Sequence, residues 1–304
     1  MTIIPPDADI LPPSDDHIFK TLLTSPGTEC VVADVVSAAT NHNIVKAQVL
    51  NNELPVTDNN EKNERLDVNC TVIDKSGQKR QINVEMQGSR MAEHAGGNMN
   101  FKTKYAYYGM DLFIKQESKG VKYADLMQTY QITFCNYTVF PERTDFVHSA
   151  ALRFQDGELF CDKLCIIIVE MSKLGYALNK RAEELTPIEI WGLFFGHAHD
   201  PDYREIINRI IETKKEVRMA SELLMEISKD EAERARIRSR KKFEMDRMSD
   251  LLTFKDEGID EGVLKERRKN VRHMHQEGFD VKTIARALGL SEQEVKDIVD
   301  SQTK

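Results

Sequence analysis

The chain has 304 residues, of which 40% are hydrophobic and 30% charged, and a formal net charge of −8. That length predicts about two domains, and the acidic total excludes a basic nucleic-acid coat, so contact with DNA would have to come from local basic patches. An odd count of five cysteines and an N-terminus without a signal-peptide pattern predict a reduced, cytoplasmic protein, and no stretch approaches the roughly 18 apolar residues of a membrane span.

Residues 1–13 contain Pro5, Pro6, Pro12 and Pro13, which break helix and sheet alike and predict a flexible arm laid along the domain. Ser14 or Asp15 then caps a predicted helix through Ile18, Phe19, Leu22 and Leu23, with Asp16 in its first turn and Ser25-Pro26-Gly27 at its end. Val31, Val32, Val35 and Val36 recur at helical spacing and predict a second helix, closed near Asn41-His42-Asn43. Ile44 to Leu50 reads as a strand, and residues 57–65 as a polar loop.

The most informative stretch follows. Leu66, Val68, Cys70 and Val72 share one face of a two-residue period, as do Ile82, Val84 and Met86, which predicts two half-buried strands. Asp74-Lys75-Ser76-Gly77-Gln78 supplies turn chemistry, and a hairpin centred on Ser76 sets position 67 across from position 85. Asp67 would then face Glu85, with Gln87 on the same side. Like charges so placed repel. A divalent cation such as Mg²⁺, which takes hard oxygen ligands, relieves the repulsion; so does a fully solvated face, or a register slip that separates the pair.

Beyond Gly96-Gly97, residues Met99 to Gln116 carry Phe101, Tyr105, Tyr108, Leu112 and Phe113 on a broad helical face, with Lys102 and Lys104 off that stripe. Tyr130 to Phe140 and Lys163 to Met171 read as strands, the second as a central one. Pro187 heads a helix through Trp191. A charged helical region then runs to about residue 270, with a basic cluster of Arg234, Arg236, Arg238, Arg240, Lys241 and Lys242 that reads either as a solvated face or as a phosphate-contacting patch. At the end, Val281 to Leu288, a turn at Gly289-Leu290, and the capping-box sequence Ser291-Glu292-Gln293-Glu294 have helix-turn-helix form. The second of these helices carries Glu292, Glu294, Asp297 and Asp300, which oppose phosphate.

With Asp16-His17-Ile18-Phe19-Lys20, Leu66-Asp67-Val68, Val84-Glu85-Met86-Gln87 and Tyr105-Ala106-Tyr107-Tyr108 in order, the chain resembles the Rpn-type recombination-promoting nucleases, also called PD-(D/E)XK nuclease family transposases. The resemblance covers about residues 14–180. It implies an α/β fold, a restriction-endonuclease-like mixed sheet flanked by helices, followed by an α-helical C-terminal region. It also implies that Asp67 and Glu85 are metal ligands and catalytic, that Gln87 is catalytic at a position where the wider superfamily has Lys, and that Asp16 completes the metal site directly or through water. The activity implied is Mg²⁺-dependent hydrolysis of DNA phosphodiester bonds, with Mn²⁺ as a substitute and a link to recombination or mobile elements. Glutamine offers a neutral hydrogen bond where lysine offers a cation. Lys102, Lys104 and Arg90 are candidate phosphate contacts, with solvated surface side chains as the alternative.

The expected organisation is therefore an arm over residues 1–13, a nuclease core over 14–180, a charged helical extension over 181–270 and a helix-turn-helix-like segment over 271–304. The extension is a candidate homo-oligomerisation arm. The competing expectation is a non-catalytic DNA-binding or regulatory protein that retains the nuclease fold.

Overall fold

Asp15 starts the first helix because its carboxylate accepts the backbone N–H groups of His17 (3.1 Å) and Ile18 (3.4 Å), two donors that a helix N-terminus otherwise leaves unsatisfied. The computed structural model, which describes residues 4–50, 68–88, 97–116 and 122–300, contains from that point a mixed six-stranded sheet between helical layers. Helices α1 (Asp16–Thr24) and α2 (Glu29–Thr40) lead into strands β1 (Ile44–Val49), β2 (Val68–Asp74) and β3 (Lys79–Gln87). Helix α3 (Gly97–Ile114) connects β3 to β4 (Gln128–Cys135), which is followed by β5 (Val147–Arg153) and β6 (Leu159–Glu170). The sheet order is β1-β2-β3-β4-β6-β5. Pairs β1/β2, β2/β3 and β5/β6 are antiparallel; β3/β4 and β4/β6 are parallel.

The hairpin has the register that its alternation predicts. Val68 pairs with Val84, Cys70 with Ile82 and Val72 with Arg80, so the centre is Ser76. Asp74 fixes the turn: one carboxylate oxygen accepts from Ser76 N (2.9 Å), Ser76 Oγ (2.6 Å) and Gln78 N (3.0 Å), and the other from the buried Arg80 guanidinium at 2.6 Å. Donation from Ser76 and then from Arg80 holds the Asp74 carboxyl well below the usual carboxylate range.

One sheet face is apolar. Phe134 meets Phe19 of α1 (centroids 6.1 Å apart) and Phe195 of α4 (Pro187–His197) at 5.3 Å, and Trp191 stacks on Phe195. Truncating one of these rings to alanine would cost about 3–5 kcal/mol. Trp191 Nε1 also donates to Asp34 of α2 at 2.8 Å, and Asp34 accepts Lys214 Nζ at 2.7 Å. Helices α5 (Arg204–Thr213) and α6 (Lys215–Lys229) complete this layer.

Three expectations change here. Residues 4–13 of the N-terminal arm lack helix and strand, as its prolines dictate, but they are pinned: Ile4, Ile10 and Leu11 are buried, Leu11 N donates to Ser228 Oγ at 3.0 Å, and Arg234 binds Asp9. Arg234, part of a cluster expected to be either a solvated face or a phosphate-contacting patch, is thus a tether for the arm. The helices expected in a separate extension begin inside the first unit, which runs over residues 1–234, because Trp191 and Phe195 belong to its core. Strand β4 ends at Cys135 instead of Phe140, where Glu170 collects the Val139 and Phe140 N–H groups.

Residues 235–304 form the second unit. It comprises most of α7 (Glu231–Gln276), then α8 (Val281–Leu288) and α9 (Glu292–Asp300). Val271, Ile284, Ala285 and Val295 make its core. Asp280 caps α8 by accepting Thr283 N at 2.8 Å, Gly289 ends it at φ 67°, and Ser291 and Glu294 form the reciprocal capping box of α9.

Candidate functional site

The other face of the sheet is polar where it should be driest. Along β3, Gln81, Asn83, Glu85 and Gln87 alternate onto it, and in the parallel register Asn83 lies beside Gln131 and Glu85 beside Thr133 of β4. Asn83, Glu85, Gln131 and Thr133 are all buried. Burial of polar groups is tolerated when they are hydrogen-bonded, and here they bond to each other. Asn83 Nδ2 donates to Glu85 Oε1 and to Gln131 Oε1, both at 2.9 Å, and Gln131 Nε2 donates to Thr133 Oγ1 at 3.3 Å. The Asn83 Oδ1 atom is buried without a partner among the described residues. Glu85 is 5% exposed, so the solvated-face alternative for this carboxylate is excluded.

Helix α3 closes this face. Phe101 and Tyr105 pack with Cys135, Val139, Phe140 and Ile168, which seats the N-terminal half of α3 beside the carboxyl ends of β3 and β4. The Tyr105 hydroxyl, on a side chain only 1% exposed, donates to Gln87 Oε1 at 2.9 Å. Lys104 Nζ lies 3.3 Å from the same oxygen and 3.3 Å from the Tyr105 hydroxyl. Expected from its position to sit off the apolar stripe, Lys104 curls back to the end of β3. Lys102, by contrast, is exposed, with Nζ 5.3 Å from the centre of the Phe140 ring.

Helix α1 reaches the same end of the sheet. A Cβ on Gly88 would lie 2.6 Å from the Ser14 carbonyl oxygen, so only glycine allows the chain entering α1 to pass this close to the residue after Gln87. Asn136 Nδ2 donates to Ser14 Oγ at 3.5 Å. Asp16 is thereby carried, exposed, in the first turn of a helix whose start abuts the end of β3. Asp67 and Arg90 lie outside the described residues; the described register runs to the Val68–Val84 pair. Among the described residues no three His, Cys, Asp or Glu side chains gather as a metal-binding group.

A second charged cluster escaped the sequence reading. Glu170, fully buried at the end of β6, accepts His148 Nε2 and Lys173 Nζ, each at 2.5 Å, as well as the Val139 and Phe140 N–H groups. Burial alone would raise its carboxyl; donation from Lys173, the Phe140 N–H, His148 and the Val139 N–H outweighs that and holds it below the usual range. Lys173 also donates to the Phe140, Arg143 and Asp145 carbonyls, so the cluster ties β4, β5 and β6 together. The sequence signal was a Glu directly after an apolar strand, with Lys three residues on.

Residues 13–253 match the family model described as PD-(D/E)XK nuclease family transposase. Neither the curated proteins nor the solved structures give a match.

Proposed function

The chain belongs to the PD-(D/E)XK nuclease family transposases, and from that premise we propose that it is a Mg²⁺-dependent DNA endonuclease that acts in recombination or mobile-element biology. The observation that carries the reading is the buried Glu85 carboxylate, set two residues before Gln87 on one polar strip at the carboxyl end of a parallel strand. Ligands of open α/β sheets gather at such ends. The hairpin register centred on Ser76 supports the assignment of Asp67 as the carboxylate that faces Glu85.

The donor chemistry fits a hard divalent cation. Glu85 offers a carboxylate, and beside it Asn83 Oδ1 is a buried oxygen without a donor among the described residues. Asp67 and Glu85 would hold Mg²⁺, and the approach of the α1 start to Gly88 supports Asp16 as a further ligand, directly or through water. Bound there, the ion would lower the pKa of a water and offset charge on the phosphate. Gln87 orients the attacking water, its own amide held by Tyr105. In the reaction a water oxygen bonds to phosphorus as the bond from phosphorus to the leaving sugar oxygen breaks. The water's proton passes to solvent, and the leaving oxygen takes one back.

The test is incubation of supercoiled plasmid with the purified chain and Mg²⁺ or Mn²⁺, beside Asp67→Ala and Glu85→Ala. Each substitution is expected to slow cleavage on the order of 10³-fold, equivalent to several kcal/mol of lost charge stabilisation. Cleavage that survives in both variants would overturn the site. Binding without cleavage under either metal would favour a non-catalytic DNA-binding or regulatory protein.

A further inference from the structure

Glutamine at position 87 leaves β3 without a cation beside the reacting phosphate, and a phosphodiester that gains charge in the transition state is stabilised by one. The geometry points to Lys104 of α3 as that cation: a catalytic residue that donates to a non-bridging oxygen of the scissile phosphate, delivered from the helix instead of the strand. The inference rests on the nuclease reading above and adds to it the residue that recognises phosphate.

Four observations converge. Lys104 Nζ lies 3.3 Å from Gln87 Oε1, so the ammonium occupies the neighbourhood of the residue-87 side chain. Gln87 follows Glu85 by two residues on the same strand face, about 7 Å along the strand, a span that one phosphate group can bridge. The partners that hold Lys104 are neutral: the Gln87 amide oxygen, the Tyr105 hydroxyl at 3.3 Å, and the faces of Tyr105 and Tyr108, with Nζ 4.8 Å and 5.5 Å from the ring centres. Among the described residues no carboxylate lies within ion-pair distance of Nζ, so its charge is not spent on a structural pair. Finally, among the described residues the other cations near this face are committed or remote. Lys173 is bound to Glu170, Arg80 to Asp74 at the opposite end of β3, and Lys102 is exposed over Phe140.

Hydrogen bonds and cation–π contacts to neutral groups orient an ammonium without cancelling its charge. Tyr105 is therefore the positioning residue: its buried ring and hydroxyl hold both Gln87 and Lys104. Lys104 keeps its protons throughout the hydrolysis. It supplies charge and hydrogen bonds to an oxygen that neither forms nor breaks a bond to phosphorus.

The experiment compares wild type with Lys104→Met, Lys104→Arg, the exchange variant Gln87→Lys/Lys104→Gln, and Lys79→Met as an exposed lysine at the far end of β3. Two readouts are taken: plasmid cleavage with Mg²⁺, and duplex binding with Ca²⁺ over a range of salt. Lys104→Met is expected to lose about 10²–10³ in cleavage rate, the usual cost of removing one preorganised donor. Its plot of log affinity against log salt should fall by about one unit of slope, the signature of one lost phosphate contact. Lys104→Arg should retain that slope, and the exchange variant should cleave at least tenfold faster than Lys104→Met. Lys79→Met should leave both readouts unchanged. Wild-type cleavage by Lys104→Met together with an unchanged slope would overturn the inference. Absence of cleavage by wild type would overturn the nuclease reading instead, and the slope would still decide whether Lys104 binds phosphate.

Discussion

Glu170 illustrates how one side chain can hold several strands. It is a buried carboxylate whose donors are His148, Lys173 and two backbone N–H groups, and removing its charge leaves Lys173 facing a neutral partner. Glu170→Gln is expected to destabilise the first unit by about 3 kcal/mol, measured by urea unfolding. Because the folded-state pKa is depressed, this contribution is fully present above the unfolded value and is lost as pH falls through the folded one. Wild type should therefore lose stability on acidification below about pH 4 more steeply than the variant does. Legibility in the sequence also varies residue by residue. The placement of Glu85 and Gln87 on one face follows from a two-residue period and a turn, both local. That of Lys104 depends on how α3 is rotated against the sheet, which is fixed by Phe101 and Tyr105 packing on Phe140 and Ile168, residues distant in sequence.

At the scale of elements, what could be read was what carries its own punctuation. Asp15, Asp280 and the Ser291–Glu294 box each supply a helix with its first hydrogen bonds, and the first and last of these were legible as caps. Strand β5 was not. His148-Ser149-Ala150-Ala151 shows neither alternation nor an apolar run, because an edge strand paired only with β6 buries little on either face. Gly289 tests the punctuation argument. Its φ of 67° lies in the left-handed region, where a Cβ costs about 1–2 kcal/mol. Gly289→Ala should loosen α8 and α9 by about 1 kcal/mol, seen as faster hydrogen exchange over residues 281–300 with β-sheet amides unchanged.

For the whole molecule, the sequence suggested a nuclease core that ends near residue 180, whereas the first unit continues to residue 234 and the family match to residue 253. Composition misled because charge on the exposed sides of α5 and α6 resembles that of a solvated extension, while Ile207, Ile210, Val217 and Leu224 are buried. A chain that ends at residue 253 keeps the first unit entire and the full family match. It is expected to unfold in one cooperative transition, followed by circular dichroism, and to retain cleavage that depends on Glu85. Loss of the transition would mean that the second unit is needed for folding of the first.

The amide strip beneath α3 sets a limit on how robust this protein can become. An interior position filled by Asn83 or Gln131 forgoes the gain that an aliphatic side chain would bring, and Asn83 Oδ1 finds no donor among the described residues besides. Directed evolution that rewards heat resistance alone would be drawn to replace this strip with leucine and valine. The survivors would be hardier, and Glu85 would have lost the amide that holds it.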